Sequence, residues 1–94
     1  MSNEVQEVQE ERGKDYGDFI DHSEAVDDIM DSLQWVSLQN GATYPKGFHT
    51  FLFYAVSKLV RLATSPNHED SVLDLSSYSI LWLNIIRRRK NEKE

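Results

Sequence analysis

Apolar residues in this chain recur at three- and four-residue intervals and do not alternate, which is the spacing of helices with one buried face. Ala25, Val26, Ile29, Met30, Leu33 and Val36 form the first such stripe, with His22 at its head. It predicts a helix from about Asp21, whose carboxylate can cap the first amides while Glu24 completes a capping box. Asn40-Gly41 should end that helix. A second helix is predicted to open at Thr43-Tyr44-Pro45, because proline loses nothing in a first turn whose amides are unbonded anyway. Phe48, Phe51, Leu52, Ala55, Val56, Leu59, Leu62 and Ala63 then give the cleanest stripe in the chain, and the helix stops before Pro66.

Asn67 is the expected cap of a third helix, with Glu69 and Asp70 in its first turn, where the helix dipole favours carboxylates. From Ile80 to Ile86 this helix is apolar almost all round, so either it is central or its second face meets another subunit. Arg87, Arg88, Arg89 and Lys90 finish it. No strand-like alternation of useful length is present. The pattern predicts an all-α, self-associating bundle of three to four helices, a homodimer, with one helical domain over residues 15–90. Residues 1–14 are a polar segment, frayed or forming the fourth helix; 14–18 suit a turn; 91–94 are a tail.

Ninety-four residues suffice for one modest core. The absence of cysteine excludes disulfides and thiolate metal sites and points to a reducing compartment. No apolar run approaches the roughly 18 residues that span a bilayer, and the acidic N-terminus lacks the charge of a signal peptide. A location in a bacterial host cytoplasm, away from membranes, is expected. Residues 1–43 carry 11 acids against Arg12 and Lys14, whereas residues 44–94 carry five acids against eight bases, giving the net charge of −6. Such a surface repels nucleic acid, so direct nucleic-acid binding is not expected.

The chemistry concentrates where the second helix ends and the third begins. Lys58 and Arg61 could grip a polyphosphate, or they could be the cationic last turn of a helix. Asp70 and Asp74, one turn apart, could share one magnesium ion, Mg2+. The commoner use of such residues is structural, Asp70 as a cap and Asp74 paired with Arg61. Tyr16 and Tyr78 could stack on a base, although aromatics at helical spacing are more often core. His68 stands beside two carboxylates as an acid-base candidate, while His22 reads as a hydrogen-bonded core histidine. Glu24, Asp27, Asp28 and Asp31 lie opposite the apolar stripe of the first helix; they are either a solvated face or a surface for a basic partner.

The spacing Arg12-x-x-x-Tyr16-Gly17-Asp18, Lys58-x-x-Arg61 and His68-x-Asp70-Ser71-x-x-Asp74-x-x-x-Tyr78 resembles a family of small phage-encoded proteins of unknown function. It also looks like the nucleotide-modification-associated domains of phage genomes and, more distantly, the all-α MazG-type nucleoside triphosphate pyrophosphohydrolases. The resemblance covers about residues 12–82. It implies a shared polar cluster of Lys58, Arg61, Asp70, Asp74 and Tyr78. Those hydrolases hold magnesium with E-x-x-E and E-x-x-D pairs facing inward. Here the first helix offers only Asp27, Asp28 and Asp31, facing away from its stripe, so the full four-carboxylate site does not carry over. His22 stands where the phage family more often has Asn, and Ser77 where it has Gly. The expectation is a protein that binds a nucleotide or phosphorylated ligand, with pyrophosphohydrolysis as the reaction if it is an enzyme. The alternative is a non-enzymatic acidic phage protein that inhibits a host or anti-phage defence protein.

Overall fold

The computed structural model describes residues 19–93, which form three helices: α1 (Phe19–Gln39), α2 (Phe48–Thr64) and α3 (Glu69–Lys93). No strand occurs among the described residues. The all-α class expected from the periodicity therefore holds for them. The polar segment 1–14, the turn at 14–18 and Tyr16 lie outside the described residues.

Three helix boundaries differ from those expected, each for a local reason. α1 begins at Phe19, so Asp21 sits inside the first turn and complements the dipole there instead of forming the expected capping box. α2 begins at Phe48 and not at Thr43, because the chain first closes a turn with the Phe48 amide on the Pro45 carbonyl at 3.0 Å. Gly47 then enters the helix at φ 91°, a left-handed conformation that side chains resist, and its carbonyl accepts the Phe51 amide at 3.1 Å. α3 is capped by His68 and not by Asn67, and runs on through the expected tail to Lys93. The end of α1 is as the sequence predicts: Gly41 has φ 65°, and Asn40 Nδ2 donates to the Val36 carbonyl at 2.8 Å.

The central helix is α2, not α3. It packs on α1 along one side and on α3 along another, while α1 and α3 scarcely meet. Its apolar residues consequently divide between two neighbours. Val56 and Val60 bury against Val26 and Met30 of α1, with Ala25, Leu33 and Leu52 packed around them. Phe48 and Phe51 turn instead to Trp82 of α3, with ring centroids 5.4 and 5.6 Å away. Arg89 lies over the other end of that contact, 5.7 Å from the indole centre, and donates to the Lys46 carbonyl at 2.8 Å.

An arrangement of one helix with two flanks closes little core. Ile29, Val36 and Leu59, predicted to be buried, are 39%, 51% and 51% exposed. On α3, Leu73, Ile80 and Leu81 are about as open. The molecule measures 57 × 28 × 28 Å with a radius of gyration of 16.7 Å, against roughly 12 Å for a compact domain of this length.

Candidate functional site

The polar residues singled out by sequence converge where α2 ends, α3 begins and the head of α1 comes alongside. Ser65 closes α2, its amide bonding to the Arg61 carbonyl at 3.0 Å, and its own carbonyl accepts the His68 amide at 3.0 Å. That second bond turns the chain within three residues. It sets His68 directly before α3, where Nδ1 accepts the Ser71 amide at 3.3 Å and lies 2.7 Å from the Ser71 hydroxyl. Because an amide can only donate, Nδ1 is the unprotonated nitrogen in the neutral ring and the proton sits on Nε2. Ser71 is 1% exposed and is the anchor of this corner.

Around the corner lies a hollow of about 310 Å³ lined by polar and charged residues. α2 contributes Ser57, Lys58 and Arg61; the turn and α3 contribute His68, Asp70, Ser71 and Asp74; α1 contributes His22. Lys58 Nζ stands 2.9 Å from Asp74 Oδ2, with the two side chains 29% and 48% exposed. At that exposure the pair contributes at most about 1 kcal/mol to stability, so it can open toward a ligand at little cost. The structural alternative considered from sequence, an Asp74 pair with Arg61, is replaced by this Lys58 pair. Arg61 is 6% exposed and brings its charge to the wall from beneath. It is no surface-snorkelling side chain.

The volume falls at the small end of known ligand sites, of the order of 300–1,000 Å³, and the wall holds no apolar side chain to grip a greasy molecule. Two cations and two carboxylates nearly cancel, so a bare polyanion would meet repulsion as well as attraction. A polyphosphate carrying a divalent cation satisfies both sets at once. Among the described residues no three His, Asp or Glu side chains are grouped to hold a metal by themselves. A magnesium ion at Asp70 and Asp74 would therefore have to share its shell with phosphate oxygens.

Of the residues expected at the site, Lys58, Arg61, Asp70 and Asp74 share the hollow. Tyr78 does not line it; one turn beyond Asp74, its ring stacks on Tyr54 with centroids 5.2 Å apart. Glu24, Asp27, Asp28 and Asp31 are far from a pocket role, each largely open to solvent on α1. His22, read from sequence as a hydrogen-bonded core histidine, instead borders the hollow, and its buried Nδ1 has no hydrogen-bond partner among the described residues. The available signal was its position: it is the only polar member of the α1 stripe and stands at the stripe's open end. Ser57 carried no sequence signal, and Ser71 appeared only as the serine of the His68-x-Asp70-Ser71 motif. Compared with protein-family models, with curated proteins and with solved structures, the chain matches none.

Proposed function

We propose that this protein binds a nucleotide or another phosphorylated small molecule, with magnesium, in the hollow between α1, α2 and the start of α3. The observation that carries the reading is one hollow of about 310 Å³ lined by Lys58, Arg61, Asp70 and Asp74 together with two imidazoles. Lys58 and Arg61 take the phosphate oxygens, Arg61 by its planar fork and Lys58 after leaving Asp74. Asp70 and Asp74 take the metal's remaining positions or its bound waters. His22 adds a second imidazole to the border of the hollow. The motif spacing supports the same reading, as does its resemblance to phage nucleotide-handling families. If the ligand is a nucleoside triphosphate and is turned over, the chemistry is pyrophosphohydrolysis: water attacks the α-phosphorus, the bond from that phosphorus to the α,β-bridging oxygen breaks, and pyrophosphate leaves with the nucleoside monophosphate as the other product. Lys58 and Arg61 would hold the charge that builds on the transferred phosphate, and a magnesium ion held by Asp70 and Asp74 would neutralise charge on the leaving group.

Self-association belongs to the same proposal. It is supported by the apolar surface that α1 and α3 leave open, because a monomer of this size seldom exposes so many large apolar side chains.

The test is a panel of nucleoside di- and triphosphates and inorganic pyrophosphate, each with and without magnesium, assayed for thermal shift and pyrophosphate or phosphate release. Binding that needs magnesium and weakens at least about tenfold in Asp74→Ala supports the reading. No thermal shift with any member of the panel removes it.

A further inference from the structure

We propose that α1 of one copy packs antiparallel against α3 of a second copy, through the faces these helices turn away from α2. This rests on the self-association proposed above and names the surfaces that make it. On α1, Asp28, Asp31, Trp35 and Leu38 follow one another at intervals of three, four and three residues, which places them in one stripe. Ile80, Leu83, Arg87 and Lys90 of α3 repeat the same intervals. Both stripes lie open: Trp35 and Leu38 are 62% and 75% exposed, Ile80 and Leu83 59% and 41%, and all four charged residues are exposed. None of these charged side chains takes part in the Lys58–Asp74 or Arg88–Glu92 pairs.

The order of residue types fixes the direction. A parallel pairing would set the two carboxylates on Ile80 and Leu83 and the two bases on Trp35 and Leu38. An antiparallel pairing in a single register sets Leu38 on Ile80, Trp35 on Leu83, Asp31 on Arg87 and Asp28 on Lys90. Apolar meets apolar along half the seam, and opposite charges meet along the other half. The helix dipole accounts for bases at the end of α3 but not for Asp28 and Asp31, which stand beyond the first turn of α1, where its influence has faded. Nor does it require the apolar residues to continue the same stripes. The complement of each face is therefore present on the other end of the same sequence.

The chain has no native cysteine, so single cysteines report cleanly. Full-length Leu38→Cys and Ile80→Cys chains, treated with a short bismaleimide, are expected to give a two-chain product in several-fold higher yield when mixed than when either is treated alone. Equal yields in the three samples overturn the pairing. Asp28→Lys/Asp31→Lys and Arg87→Glu/Lys90→Glu chains, each checked for helix content by circular dichroism, should lose self-association separately and regain it when mixed. Failure to regain it also overturns the pairing. Sedimentation of the wild type separates the two layers of the argument. A mass above one chain without the selective cross-link leaves self-association standing on some other face. A mass of one chain at every concentration removes both, and leaves the acidic stripe to a basic partner protein.

Discussion

His68 performs at the residue scale a task usually given to Ser, Thr, Asp or Asn: its Nδ1 takes the amide of Ser71 and starts α3. Replacing it by Ala should cost about 1 kcal/mol, and His68→Ser should recover most of the loss, as urea denaturation would register. If Ala and Ser cost the same, the cap is incidental. Met30 is a second such point, 7% exposed in a core of four buried apolar side chains. Met30→Ala should destabilise by about 2–5 kcal/mol, a large share of what so small a core supplies. The chemistry of single residues was readable from sequence where spacing constrained it: Lys58 with Arg61, and Asp70 with Asp74, each fell on one face. Pairing was not readable. Whether Asp74 meets Arg61 or Lys58 depends on the rotation of α3 against α2, and no residue interval within one helix encodes that.

At the scale of elements, the apolar period gave three helices with close limits except where a turn intervened. The α1–α2 connection shows why: Pro45 suits a helix start and a turn equally, and Gly47 at φ 91° decides for the turn. Gly47→Ala should therefore destabilise by about 1–2 kcal/mol through backbone strain. Crowding is not the cause, since an added Cβ would lie 3.7 Å from Trp82 Cζ3, an ordinary contact. A thermal melt unchanged by this substitution would count against the left-handed entry. Which stripe residues are buried was less legible, because α2 serves two neighbours and α3 only one. Leu59 and Ile29 satisfy the helical period, yet they are 51% and 39% exposed.

For the whole molecule, one helix flanked by two leaves a body in which the stripes of Trp35 and Leu38 and of Ile80 and Leu83 do not line the polar hollow. That separation allows association and ligand binding to be tested independently. If copies associate through folded surfaces, the melting midpoint should rise with protein concentration by mass action, and a midpoint independent of concentration would oppose it. No helix among the described residues is long and apolar enough to cross a membrane. The central claim, that the hollow is a phosphate-and-metal site, is tested most directly by a two-dimensional amide NMR titration with magnesium pyrophosphate. The account predicts saturable shifts at Ser57, Lys58, Arg61, His68, Ser71 and Asp74, weakened by Lys58→Ala, with Trp35 and Ile80 unmoved. A flat titration to millimolar ligand, or shifts gathered elsewhere on the helices, would contradict it.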